Sequence, residues 1–160
     1  MELVEATEDD VDTLAELWFA LATEMEPYSE LNRLSYSTVD EVPEAPFREQ
    51  IERDDVTVLL LSEEDTTLGF LTLRRGTHPS RTHAEYLHVV DLFVAEVYRN
   101  RGYGSEAFER VAEMAREWGC DYVEVSCEWN NAGARRFYED CGFEEKQVQY
   151  TYRLDRGSQS

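Results

Sequence analysis

Asp91-Leu92-Phe93-Val94-Ala95-Glu96-Val97-Tyr98-Arg99-Asn100-Arg101-Gly102-Tyr103-Gly104-Ser105 is the stretch on which the reading of the fold turns. It opens as an apolar strand, breaks at a turn from Glu96 to Arg101, and re-emerges at Gly102 as a helix running on to Ala115. A strand that passes through a glycine-rich turn into a helix leaves several backbone N–H groups unpaired and aimed one way, at the positive end of the helix dipole. Gly102 and Gly104 permit φ > 0 and let a ligand approach the backbone, while Arg99 and Arg101 bring positive charge into a chain that has little. The expected ligand is a phosphate or pyrophosphate.

Three phosphate loops compete for this stretch. A mononucleotide P-loop needs Lys after its last glycine, and Ser105 follows Gly104 instead. Gly102-Tyr103-Gly104-Ser105-Glu106-Ala107 does spell the dinucleotide pattern G-x-G-x-x-A, but that pattern wants its first glycine directly after the strand. Here six residues with two arginines intervene. The third loop fits at every position: Arg99-x-x-Gly102-x-Gly104 resembles the pyrophosphate loop [QR]-x-x-G-x-[GA] of the GNAT superfamily of acetyl-CoA-dependent N-acetyltransferases. Downstream, Asn131-x-x-Ala134-x-x-Phe137-Tyr138-x-x-x-Gly142-Phe143 is similar to that family's second signature. The likeness is close over residues 85 to 152 and elsewhere holds only in the order of elements.

At 160 residues the chain fits one domain with a sizeable core, expected over 1–154, with a frayed tail at 155–160. A hydrophobic content of 42%, rich in Tyr and Phe, marks a globular chain. No apolar run approaches the ~20 residues of a membrane span, and Met1-Glu2-Leu3-Val4-Glu5 is not a signal peptide, so a cytoplasmic protein is expected. Cys120, Cys127 and Cys141 are odd in number and lack C-x-x-C spacing, which points to reduced thiols rather than a disulfide or metal site. The 35 acidic against 15 basic residues give a net charge of −20, and Lys146 is the single lysine. Such self-repulsion is screened within ~3 Å at 1 M salt, so a halophilic host is expected. Nucleic-acid binding is disfavoured, because no basic face is available to neutralise phosphates.

Around the glycine turn the elements follow from periodicity. Residues 2 to 6 read as a strand; Thr7, Asp9 and Asp10 begin a helix whose Val11, Leu14, Leu17, Trp18 and Leu21 form one stripe, ended by Pro27. Residues 28 to 46 are irregular and aromatic, and 47 to 53 read as a second helix. Val56–Leu61 and Thr67–Arg74 make an antiparallel hairpin, and a longer loop leads to the strand 85–95. After the glycine turn come a helix to Gly119, a strand 121–127, a helix 132–141 and a last alternating strand 145–154. The strands on either side of the glycine-turn helix must run parallel, because a helix crosses between them. The fold class is α/β with a mixed sheet: an antiparallel N-terminal meander, then a central parallel pair, flanked by helices.

The resemblance adds a site to this frame. It implies that the parallel strands splay where Asp91–Val94 faces Val123–Cys127, that the acyl-CoA arm lies in the splay on the backbone of Leu92, Phe93 and Val94, and that residues 28–46 line the acceptor pocket. Sequence alone equally allows 28–46 to be a surface connection. The implied coenzyme set also holds Arg99, Asn100, Arg101, Gly102, Tyr103, Gly104, Ser105, Asn131 and Ala134, with no metal. Tyr138 falls at the family's general-acid position, and a phenol of pKa near ~10 can protonate a coenzyme thiolate. The base position falls on His88 or Asp91. Histidine needs little tuning near neutral pH, whereas Asp91 at ~3.9 needs burial, which its apolar neighbours suggest. Asp91 is preferred, with Glu85 and Glu128 as outer candidates. The implied partners are acetyl-CoA and an amine acceptor, with a homodimer left open; a sensor that binds acyl-CoA without turnover is the alternative.

Overall fold

The computed structural model describes residues 1–154; the tail read at 155–160 lies outside the described residues. Two compact units are formed, the first Met1–Ser126 and the second beginning at Cys127.

The first unit is a five-stranded sheet whose strands lie side by side in chain order: β1 (Glu2–Glu5), β2 (Val56–Glu63), β3 (Thr66–Thr77), β4 (Glu85–Val94) and β5 (Tyr122–Val125). All neighbours are antiparallel except β4 and β5, which run parallel as the intervening helix requires. The hairpin between β2 and β3 closes in two residues, Glu64 and Asp65, both at positive φ (49° and 66°), the twist that suits a tight hairpin.

Both faces of the sheet are covered, which is why Val58-Leu59-Leu60-Leu61 is apolar without alternation. Val58 and Leu60 pack with Leu14, Phe70 and Phe93 beneath α1 (Val11–Met25) and α2 (Ala45–Glu52). Leu59 and Leu61 pack on the other face with Leu71, Leu73, Leu87 and Val89 against α3 (Tyr103–Glu117), which presents Ala107, Val111 and Ala115 at intervals of one turn. Leu61, Leu71, Leu73 and Leu87 have no exposed surface, each worth about 2 kcal/mol in transfer. Of the apolar stripe that periodicity gives this helix, Phe108, Val111, Ala112 and Ala115, the structure buries Val111 and Ala115, packs Phe108 half-buried beside them, and adds Ala107.

Residues 26 to 44, between α1 and α2, are stitched from three short 3-10 turns at Glu26–Tyr28, Glu30–Asn32 and Val39–Glu41. Thr7 caps the 3-10 turn Glu8–Asp10 that leads into α1: its N–H donates to the Asp10 carboxylate at 2.8 Å and its hydroxyl accepts from Asp9 N–H at 3.3 Å.

The second unit contains α4 (Ala132–Asp140), begun by Asn131 and ended before Gly142, whose φ of 99° turns the chain out of the helix. The strand expected at 145–154 does not form: these residues adopt no regular structure. Alternation alone cannot make a strand, since the backbone groups need a ladder partner and no strand occurs among the described residues of this unit.

Candidate active site

Registers along β3 and β4 decide where the two base candidates point. Arg74 pairs with His88, Leu73 with Val89, Thr72 with Asp91, Leu71 with Leu92 and Phe70 with Phe93. Val90 is therefore an extra residue, a β-bulge, and the strand changes phase across it. Before it, Leu87 and Val89 face α3; after it, Asp91 and Phe93 share the opposite face with Phe70 and Thr72. Strict alternation would have driven Asp91 into the α3 core beside Val89. With the bulge, His88 and Asp91 lie on one face, the face under α1 and α2.

On that face Asp91 and the buried Thr72 border a cavity of about 210 Å³. Its walls are apolar: Leu14 and Trp18 from α1, Pro46 and Phe47 from α2, Val58 and Phe70 from the sheet. Tyr36, Val42 and Pro43 close it from the segment between α1 and α2, so the open choice over residues 28–46 resolves toward a cavity wall. Gln50 adds one amide. Burial pushes the Asp91 carboxyl up to about 6, because the charged form loses its water in these surroundings. His88 is set differently: its Nδ1 lies 3.1 Å from Glu124 Oε2 on β5, its side chain is only 19% exposed, and it does not border the cavity. Glu85 stands at the far end of β4 with its carboxylate accepting from the Thr77 hydroxyl.

The parallel ladder pairs Tyr86 with Tyr122 through Val89 with Val125 and then stops. Asp91–Val94 thus lie beyond the ladder rather than facing Val123–Cys127, since β5 ends where the β4 bulge begins. Ala95 N–H donates to Leu68 O at 2.8 Å, toward β3, so the alternating backbone turns the N–H groups of Leu92 and Val94 to the outer edge. Phe93, between them, points its amide to β3 and its ring to the α1 face.

Beyond β4 the chain makes a 3-10 turn (Glu96–Tyr98) and reaches Asn100 at φ 63°, then Gly102 at φ 84°. Asn and Gly are the residues that tolerate this left-handed geometry. The first backbone bond of α3 runs from Glu106 N–H to Gly102 O at 3.0 Å, and no side chain caps the end. The amides of Tyr103, Gly104 and Ser105 are the orphan donors of that first turn. Where a Cβ on Gly102 would stand there is open space. Gly104 does not share the positive φ expected of it, because it already lies inside α3.

Side chains of this loop are partly engaged. Arg99 Nε donates to Val94 O at 2.8 Å, its Nη2 donates to the Glu24 carboxylate of α1 at 2.8 Å, and its guanidinium lies 5.4 Å from the Phe93 ring centroid. It ties the loop to β4 and α1. Glu24 carries no sequence signal for this role, being 75 residues away. Tyr103 hydroxyl bonds the Glu63 carboxylate, so its ring also points back into the fold. Arg101 is exposed and interacts with the Tyr103 hydroxyl.

In the second unit, Asn131 Oδ1 accepts from Ala134 N–H at 3.0 Å, so these two signature residues satisfy one another as the cap of α4. Tyr138 packs edge-on against Phe137 (5.2 Å between centroids) and Phe143 (5.4 Å). Glu128 accepts from Asn131 N–H through its carbonyl at 3.0 Å.

A helix start whose amides suit an anion, and a carboxylate at an apolar cavity, are thus carried by one strand, β4, and its continuation. The family model described as Acetyltransferase (GNAT) family matches residues 18–143, and the chain belongs to this family. An uncharacterized N-acetyltransferase of Methanocaldococcus jannaschii is 26% identical over 142 residues, 89% of this chain and 60% of that protein. Glucosamine 6-phosphate N-acetyltransferase 1 of Oryza sativa subsp. japonica is 42% identical over 62 residues, 39% of this chain and 36% of that protein. The chain thus spans 60% or less of the length of these curated relatives. A crystal structure of a mutant Bacillus halodurans protein shares the fold, with a TM-score of 0.84 at 20% identity over 96% of this chain and 99% of that one.

Proposed function

We propose that the protein transfers an acetyl group from acetyl-CoA to a primary amine by direct attack. The observation that carries this reading is the placement of Asp91: one strand presents its desolvated carboxyl to the cavity and, at the next residues, unladdered amides on its outer edge. Acetyl-CoA supplies the thioester, an acyl group on a good leaving thiolate. Asp91 takes the proton from the amine, whose nitrogen then forms the new C–N bond as the C–S bond breaks. Amides of Leu92 and Val94 stabilise the charge that grows on the carbonyl oxygen. Tyr138 gives its proton to the sulfur. The first-turn amides of α3, aided by Arg101, hold the pyrophosphate. His88, held by Glu124, is the alternative base, reached through a water.

The same reading makes residues 1–154 one catalytic domain working in the cytoplasm, and the −20 charge supports a halophilic host. The test is thiol release from acetyl-CoA with a panel of primary amines. Coenzyme binding without release on any of them would replace this reading with that of an acyl-CoA sensor.

A further inference from the structure

Resting on the acetyl-transfer reading, the geometry points to the class of acceptor: a primary amine on one compact aromatic or branched apolar body, an arylalkylamine in chemical type, seated in the cavity with its nitrogen at Asp91. Trp18, Phe47 and Phe70 give the cavity aromatic walls, and Leu14, Val42 and Val58 fill the spaces between them. Trp18 and Phe47 already meet edge to face, with centroids 6.3 Å apart.

Size fits this class. An apolar cavity of about 150 Å³ takes a benzene ring. The 210 Å³ here adds room for a two-carbon arm and its nitrogen.

Charge and hydrogen bonding tell against the other amine classes. Among the described residues lining the cavity none is Arg, Lys or His, so a sugar phosphate would bring a dianion with nothing to neutralise it. Asp91 is the single carboxylate in the lining. A polyamine or an aminoglycoside would pair one ammonium with it and strand the rest against hydrocarbon. A peptide N-terminus would have to bury amide groups where only Thr72, Gln50 and the rims of Tyr36 and Trp18 offer polar atoms.

The transfer itself is the one already given: the nitrogen lone pair forms the C–N bond, the C–S pair leaves with sulfur, the amine proton goes to Asp91 and the sulfur is protonated by Tyr138. An apolar body raises the rate here by burial. Each methylene moved from water into the cavity is worth about a four-fold gain in kcat/KM.

The experiment measures, on the full chain, acetyl transfer to ethylamine, butylamine and 2-phenylethylamine beside spermidine, glucosamine 6-phosphate and an aminoglycoside, with direct calorimetry of 2-phenylethylamine. The expected result is kcat/KM rising along the first three and exceeding the polar amines by more than ten-fold. Val42→Phe, which fills the cavity, should raise KM for 2-phenylethylamine at least ten-fold while coenzyme A affinity, a sign of intact folding, stays put. Faster transfer to any polar amine, or a flat series from ethylamine to 2-phenylethylamine, overturns the acceptor class and leaves acetyl transfer standing. Binding of 2-phenylethylamine with no transfer to any amine supports the cavity's ligand class and overturns the transferase reading.

Discussion

Asp91 stands opposite Thr72 across the β3–β4 ladder, on the face that holds the cavity, because Val90 bulges out of the strand just before it. A carboxyl placed so must give up water to stay in the fold, and it therefore prefers its proton longer than a surface aspartate does.

As the base, Asp91 must be ionised before the amine arrives. Activity with a good acceptor should then rise with pH through about 6, the value to which burial brings this carboxyl. Asp91→Asn should lower kcat by about 10²-fold or more and remove that limb. If His88→Gln removes the limb and Asp91→Asn leaves it, the base is the imidazole held by Glu124.

Stability carries the opposite sign from most carboxylates. The folded pKa lies above the ordinary value, so the native state favours the neutral acid; that contribution is complete below about pH 4 and is lost as pH rises through about 6. Asp91→Asn should match the parent near pH 4 and exceed it by roughly 2 kcal/mol at pH 8. Denaturant midpoints at both values check this; a variant no more stable than the parent at pH 8 means the carboxylate is not desolvated.

Gly102 holds φ 84° with open space beside it. Gly102→Ala should cost about 1 kcal/mol of backbone strain and leave coenzyme A affinity within a few-fold, while Gly102→Asp adds a negative charge at the helix start and should weaken it by 10²-fold or more. Equal calorimetric affinity in the parent and the Asp variant would remove the pyrophosphate from this loop.

The net charge of −20 gives a salt test that is independent of the site. Screening shortens from ~8 Å at physiological salt to ~3 Å at 1 M, so the melting temperature should climb with KCl toward molar concentrations. A flat or falling curve would remove the halophilic host and leave the enzyme reading standing.

How far the sequence reveals this molecule depends on how local each cause is. Gly102, the orphan amides after it and the crossover to a parallel β5 follow from adjacent residues, and they were readable. The Val90 bulge was not readable: plain alternation puts Leu87, Val89, Asp91 and Phe93 on one face, and the inserted residue moves Asp91 and Phe93 together to the other. The cavity was legible only as an aromatic segment at 28–46, because Thr72 and Gln50 join it through tertiary packing. Arg99 reads as a phosphate ligand until Glu24 and the Val94 carbonyl are seen to hold it. The strand expected at 145–154 failed because periodicity reports which face a side chain prefers and is silent on whether a ladder partner exists.

Tyr138 poses the last test, since its ring has a packing duty as well as a proposed chemical one. Its edge-on contacts with Phe137 and Phe143 belong to the ring, and Tyr138→Phe preserves them. What the substitution deletes is the hydroxyl. If that group protonates the departing thiolate, kcat should fall by roughly 10²-fold with coenzyme affinity and melting temperature nearly unchanged. The loss should shrink for acetyl donors whose thiol is more acidic, because a better leaving group needs less help from an acid. A deficit that stays constant across such donors, or full activity in the phenylalanine variant, would return Tyr138 to the aromatic cluster of α4 and pass the proton to water.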